Sequence, residues 1–309
     1  MIKLKKHIVF IILFFVTCMC VASLWTSVNV AGIMMENYES ESRTIAGLVT
    51  NVIGNTFTRP ITVAQTMAKD KTMVDILSIR SVDEDRRSEA DIADHLRYFR
   101  DGMGYSITFA INDTTHSYHT PNGITRTIDP DHDPGLDWYI RAMESENDYT
   151  LDPDVDEAAN WTLSVFVNHV VTDKTGRRLG LCGVGVDMSE LQNLLERYER
   201  IYNIRIDLID KDGLIKVDSD LAKVDKEYIA IEDLDQYNDG EMYYETVDYG
   251  SRTITYMPDL EWYLIIQNNN QAKQISFNVW LPAIVCALIG IAGTLVIYWL
   301  AYRDDDLYW

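Results

Sequence analysis

The sequence predicts an α+β protein in which a long N-terminal helix precedes two strand-rich modules, with an apolar helix at each end of the chain. Uncharged apolar runs extend from Ile8 to Met35 and from Gln274 to Tyr302. Between Ile45 and Met67 the apolar residues recur every three or four positions, which is typical of one helix face. After Tyr105 the pattern changes to short β-rich segments separated by turn residues. This order of strands and helices occurs twice, which favours tandem α+β modules.

Both apolar runs are long enough to cross a bilayer, which needs about 20 apolar helical residues. They predict transmembrane helices at 8–35 and 276–302. Lys3, Lys5 and Lys6 precede the first run, so the positive-inside rule places both termini in the cytoplasm and residues 36–275 outside it. A cleaved signal peptide is the alternative for the first run. Its apolar stretch is longer than the roughly 7–15 residues of such peptides, and no small-x-small cleavage site follows.

The chain is strongly acidic, with 48 Asp and Glu against 27 Lys and Arg and a net charge of −21. This excludes nucleic acid as an expected partner, because nucleic-acid-binding surfaces are basic. It favours cationic ligands, although a well-solvated surface alone explains most of the charge. Cys182 is the only cysteine outside the apolar runs, so residues 36–275 cannot form an internal disulfide. Ordinary hydrophobic cores must hold this part together, and its length suits two domains.

The pattern along the chain gives the expected domain limits. Residues 36–80 form a long helix outside the membrane, which Pro60 should bend or interrupt. A membrane-distal module follows at 81–202, a membrane-proximal module at 203–275, and the start of a cytoplasmic linker at 303–309.

Three motifs in the first module carry a resemblance to a known family. They are Asp137-Trp138-Tyr139, then Asp152-Pro153-Asp154-Val155-Asp156, then Gly183-Val184-Gly185-Val186-Asp187-Met188-Ser189. In this order they resemble the membrane-distal module of double-Cache (tandem PAS-like) sensors, and the resemblance covers roughly residues 8–302. It implies two tandem PAS-like modules in a homodimeric receptor of a bacterial inner membrane, with a small-molecule ligand.

The resemblance also implies a ligand site made of Trp138, Tyr139, Asp154, Asp156 and Asp187. In the amino-acid-binding branch, an arginine two positions before the tryptophan holds the ligand carboxylate, and Leu136 stands at that position here. The groups that hold an ammonium are present, since carboxylates and aromatic faces both attract cations. We therefore expect a cationic ligand without a carboxylate, such as a biogenic amine, polyamine or quaternary amine. An amino acid is the alternative.

Neither a metal, a cofactor nor a catalytic site is expected. Asp152, Asp154 and Asp156 alternate as in a calcium-binding loop, but Glu157 and Leu163 occupy the positions that need Gly and Glu. The histidines lack the spacing of a zinc site. Ser164 and His169 lie on opposite faces of one predicted strand, which excludes a catalytic triad with Asp173.

The output of such a sensor would follow the second membrane helix. The tail 303–309 resembles the linker that enters the GGDEF domain of membrane diguanylate cyclases. We expect a diguanylate cyclase whose output domain is missing from this sequence, with a histidine kinase or chemoreceptor as the next alternatives. A hypothesis of another class is a non-signalling, membrane-anchored adhesion protein.

Overall fold

The computed structural model describes residues 2–156, 162–228, 231, 233–247, 250–269 and 279–303. These form two compact units. The first comprises Met1–Ala46, Met242–Thr253 and Ile266–Trp309, and the second comprises Gly47–Glu241 and Ile254–Ile265.

The described residues contain six α-helices and eleven strands in two sheets. The helices are α1 (Ile2–Lys69), α2 (Lys71–Leu77), α3 (Val82–Met103), α4 (Asp137–Glu144), α5 (Ser189–Tyr202) and α6 (Leu281–Arg303). The strands are β1 (Ile107–Asn112), β2 (Ser117–Thr120), β3 (Gly123–Thr127), β4 (Tyr149–Asp156), β5 (Thr162–Thr172), β6 (Arg178–Asp187), β7 (Arg205–Asp210), β8 (Ile215–Val217), β9 (Met242–Val247), β10 (Gly250–Met257) and β11 (Trp262–Asn268). The prediction of an α+β fold with a long N-terminal helix is confirmed.

Helix α1 continues through Pro60 and ends only at Lys69, so of the expected bend or interruption, the interruption does not occur. A proline inside a helix costs about 3 kcal/mol. Val49, Ile53, Phe57 and three further side chains of the same face, Ala46, Ala64 and Met67, are fully or almost fully buried. Burying one large apolar side chain contributes about 1.5–3 kcal/mol. The free energy gained by packing this face therefore exceeds the cost of the proline.

Within the described part of the chain, α1 is the one helix that is both long enough and apolar enough to cross a membrane. The apolar part of α6, Leu281–Val296, is shorter. Residues 276–278 of the second predicted membrane helix, and 304–309 of the tail, lie outside the described residues. The second membrane helix stays a prediction.

The larger sheet has the strand order β3-β2-β1-β6-β5-β4. Its antiparallel register places Asp152, Phe166 and Gly185 side by side on β4, β5 and β6. Two residues along, Thr150 and Asn168 form the next row. Since side chains alternate between the faces of a strand, these rows share one face. Helix α4 packs against this face through an apolar cluster that includes the buried Leu136, Tyr139 and Ala142.

The smaller sheet has the order β8-β7-β11-β10-β9. It holds a buried carboxyl pair, Asp207 on β7 and Asp218 after β8, both with no exposed surface. Arg205 lies 3.0 Å from Asp207 and 3.5 Å from Asp218, and Lys223 lies 3.3 Å from Asp218. Glu199 of α5 also faces the cluster, since it accepts a 2.6 Å hydrogen bond from Ser219. Burial, followed by the hydrogen bond with Asp218, raises the pKa of Asp207 to about 7.

This pair predicts a pH-dependent stability. The pKa of Asp207 rises from its ordinary 3.8 to about 7 on folding, so the folded state binds a proton that the unfolded state releases. Its contribution to stability is complete below about pH 4 and is lost as the pH rises to about 7. In Asp207→Asn the amide can still donate a hydrogen bond to Asp218, but the side chain no longer titrates. At pH 8 the variant should therefore melt several degrees above the wild type, and this advantage should shrink as the pH falls to 4.

Melting temperatures of the intact chain between pH 4 and 8.5 test this expectation. The exposed Asp212 serves as the control, because Asp212→Asn should leave the slope unchanged. If the melting temperatures of the wild type and of Asp207→Asn change with pH in parallel, the expected proton uptake by Asp207 is contradicted.

Candidate functional site

A cavity of about 460 Å³ opens on the face of the larger sheet that α4 covers. Its lining combines aromatic rings with side chains of both charges. The aromatic residues are Phe109, Tyr118, Trp138 and Phe166; the basic ones Arg126, Arg141 and Lys216; the acidic ones Asp137, Asp152, Asp154 and Asp225; and the others Gly135, Pro153, Asn168 and Leu214. We call it the ligand cavity.

Asp152 is the centre of a hydrogen-bond network at the floor of this cavity. Its Oδ2 accepts bonds from Asn168 Nδ2 at 2.7 Å and from Thr150 Oγ1 at 2.9 Å. Its Oδ1 accepts from Arg141 Nη2 at 3.1 Å. Hydrogen bonds to a charged group are the strong ones. The Asp152 charge is therefore already compensated by its neighbours.

The same network fixes the orientation of the Asn168 amide. A carboxylate can only accept, so the amide nitrogen must face Asp152. This leaves Asn168 Oδ1 as a buried acceptor without a hydrogen-bond partner among the described residues. An unpaired buried acceptor costs about 1–3 kcal/mol, which lowers the stability that this network contributes.

Arg126 on β3 supplies a positive charge at the cavity. Its guanidinium carbon lies 5.1 Å from the centre of the Tyr118 ring. Among the described residues it has no hydrogen-bonded or ion-paired carboxylate. Burial raises the pKa of Tyr118 to about 12, so this ring stays neutral beneath the guanidinium. Unlike Arg141, Arg126 is free to bind an anion.

The structure brings two of the five predicted site residues to the ligand cavity, Trp138 on α4 and Asp154 on β4. Tyr139 lies elsewhere: it is buried, and its hydroxyl donates a 2.7 Å hydrogen bond to Asp113 at a separate cavity of about 240 Å³. Burial, assisted by this bond, raises the pKa of Tyr139.

Asp187 and Asp156 stand at the ends of strands. Asp187 is in register with Ser164, which in turn is in register with Asp154, so all three lie in one row. It does not line the ligand cavity, and its Oδ1 accepts a 2.7 Å bond from Ser189 N at the start of α5. Asp156 ends β4 opposite Thr162, and its side chain lies outside the described residues.

The sequence interpretation missed the two arginines. Leu136 is fully buried in the apolar cluster, but Arg126 and Arg141 place guanidinium groups at the cavity from other positions. Two guanidinium groups therefore line this cavity, where the sequence interpretation expected none. Arg141 follows Trp138 by three residues on α4, a spacing that puts both on one side of a helix and could have revealed it. No comparable signal marks Arg126.

No family model matches the sequence. Solved structures show the fold. The ligand-binding domain of the Pseudomonas aeruginosa PAO1 amino-acid chemoreceptor PctC, in complex with GABA, has 17% identity and a TM-score of 0.52, covering 75% of this chain and 99% of that chain. The ligand-binding domain of Mlp24 with asparagine has 14% identity and a TM-score of 0.53, covering 80% and 99%. The sensory domain of the Campylobacter jejuni chemoreceptor Tlp3 has 12% identity and a TM-score of 0.50, covering 78% and 97%.

At these identities the likeness concerns the fold. The α+β arrangement of a long N-terminal helix and two antiparallel sheets is that of chemoreceptor ligand-binding domains, the tandem PAS-like sensor fold. The predicted fold class is confirmed.

The position of Tyr139 predicts a structural role that can be separated from ligand contact. Tyr139→Phe removes the donor to Asp113, which should lower the free energy of unfolding by about 1 kcal/mol. Thermal melting of the intact chain measures this loss. Tyr98, which is 69% exposed, provides the control, and Tyr98→Phe should melt with the wild type. Equal melting of the two variants would argue against a stabilising Tyr139–Asp113 bond.

Proposed function

We propose that the chain is the input module of a transmembrane signalling receptor, whose residues 36–275 lie outside the cytoplasm and bind a small zwitterion of the amino-acid type. The observation that carries the proposal is the composition of the ligand cavity. It combines aromatic rings, an acidic side, and an arginine that has no carboxylate partner among the residues that the structure describes.

The acidic side suits an ammonium group. Asp154 and Asp137 line the cavity together with the indole of Trp138. A cation over an aromatic face gains about 0.5–2 kcal/mol, depending on how far it is desolvated. In this proposal Trp138 and Asp154 contact the ammonium. Asp187, in the same row as Asp154, adds negative potential from outside the cavity lining.

Arg126 suits a carboxylate. A guanidinium binds a carboxylate through two parallel hydrogen bonds, which gives orientation as well as affinity. Arg141 is less suited to this role because it is engaged with Asp152. The similar structures of PctC in complex with GABA and of Mlp24 with asparagine support a ligand that carries both charges.

A cationic amine without a carboxylate is the second candidate. It is favoured by the four aspartates of the cavity and by the net charge of −21. Binding of the zwitterion should depend on Arg126, whereas binding of the simple amine should not.

The resemblance to double-Cache sensors extends the proposal to the rest of the receptor. The chain is anchored in the bacterial inner membrane by 8–35 and 276–302, and it works as a homodimer. Ligand binding shifts the equilibrium between signalling states by its difference in affinity for them. The cytoplasmic output is a diguanylate cyclase, with a chemoreceptor or histidine kinase as the alternative.

Titration calorimetry of the intact chain in lipid nanodiscs tests the ligand class, using neutral amino acids and simple amines as probes. Arg126→Gln should weaken amino-acid binding about 10- to 100-fold, since hydrogen bonds to charged groups contribute about 1.5–3 kcal/mol. It should leave amine binding unchanged or slightly stronger. The control is Arg86→Gln, which removes the same charge from an exposed position on α3 outside the cavity.

Binding of amines alone, insensitive to Arg126→Gln, would select the second candidate. No binding from either class, together with no ligand-dependent change in melting temperature, would overturn the sensor proposal and favour the adhesion protein.

A further inference from the structure

A second and larger cavity, of about 880 Å³, adjoins the ligand cavity. Arg141, Asp152, Leu214 and Lys216 line both cavities, so these four side chains form a common wall. The rest of the second lining comes from the α4–β4 connection, the β7–β8 turn and the turn before β11. We call it the acidic cavity.

Carboxylates dominate the lining that belongs to the acidic cavity alone. They include Glu144, Asp148, Asp212, Asp259 and Glu261, and Lys211 is the one cation outside the common wall among the described lining residues. Clustered charges of one sign in a concave site focus the potential and attract the opposite charge. This cavity therefore suits a positive group that reaches it.

Three of the four side chains in the wall between the cavities are charged. Arg141 and Asp152 lie 3.1 Å apart, and the Arg141 side chain is 63% exposed. Asp152 is only 16% exposed, but it keeps its hydrogen bonds from Thr150 and Asn168 when the exposed Arg141 moves aside. Lys216 does not repel an incoming cation strongly, because it is paired with Asp210 at 3.1 Å and lies 3.6 Å from Asp225.

Asn168 supports the wall from the ligand side, because its Nδ2 donates a 2.7 Å hydrogen bond to Asp152. Asn168 is fully buried and lines the ligand cavity beside Asp152. Its Oδ1 has no hydrogen-bond partner among the described residues.

We propose that the ligand is an amino acid with a long cationic side chain, of the lysine or arginine type. Its α-ammonium and α-carboxylate occupy the ligand cavity, between Trp138 with Asp154 and Arg126. Its side chain passes the Arg141–Asp152 pair and places its charge in the acidic cavity. The inference rests on the proposed function and adds the specificity of the side chain.

Lysine and norleucine provide the test, because their side chains match in carbon skeleton and differ in the terminal charge. Calorimetry on the intact chain in nanodiscs should show lysine binding at least tenfold more tightly than norleucine. The double variant Glu144→Gln/Asp148→Asn should weaken lysine binding about fivefold, as expected for two partly exposed ion pairs. Norleucine binding should not change.

The control variant Asp91→Asn/Glu190→Gln removes two exposed carboxylates from α3 and α5, outside both cavities. It should leave both affinities unchanged, which separates the acidic cavity from the overall charge. Melting temperatures of both double variants show that each remains folded.

Equal affinity for lysine and norleucine would overturn the inference. An equal loss of lysine affinity in the two double variants would also overturn it. Both results would leave the proposed function intact. If no amino acid binds the wild-type chain, the proposed function falls with it.

Discussion

The close packing of the three central strands of the larger sheet is the constraint on which the candidate site depends. Strand β6 lies between β1 and β5, with Gly183 opposite Phe109 on one side and Asn168 on the other. A Cβ atom at Gly183 would lie 2.0 Å from Val167 O and 2.9 Å from the Phe109 ring. At Gly185 it would lie 2.9 Å from Ile107. Only glycine lets the rings of Phe109 and Phe166 cross this strand, at 6.2 Å from each other, and form the apolar floor of the cavity.

The charged groups of the cavity differ in how many hydrogen bonds and ion pairs they already make within the protein. Asp152 accepts three hydrogen bonds, and Lys216 is held by two carboxylates. Buried or half-buried charges with such partners contribute mainly to architecture. Arg126 and Asn168 Oδ1 have no such partners among the described residues, one as a donor and the other as an acceptor. A ligand carboxylate would supply the partner that Arg126 lacks among these residues.

The fold could be predicted from the sequence because its determinants are local. The apolar spacing of α1 and the turn residues between strands are visible without tertiary information. The continuity of α1 through Pro60 could not be predicted in this way, because it depends on the packing of a whole helix face.

The site was only partly predictable, because sequence adjacency does not mean spatial adjacency. Trp138 and Tyr139 follow each other on α4, where successive side chains point about 100° apart. The first therefore faces the ligand cavity and the second faces Asp113. Arg126 was missed because it reaches the cavity through the pairing of β2 with β3, and the register of this pair shifts between Tyr118 and His119. Such an irregularity breaks the alternation that sequence reasoning relies on.

The charges of the cavity also favour a zwitterion over a simple amine on energetic grounds. Arg141 and Lys216 are compensated by their carboxylates, so an ammonium in the ligand cavity would face the uncompensated charge of Arg126. Two like charges about 4 Å apart repel by about 4 kcal/mol at the effective dielectric of a protein surface. A ligand carboxylate placed between them converts this repulsion into attraction on both sides. A second positive charge at the end of a long side chain avoids the same repulsion by lying beyond the Arg141–Asp152 pair, among carboxylates. Under the proposed function, these charges would favour a zwitterionic head and a distance between the head and any further cation.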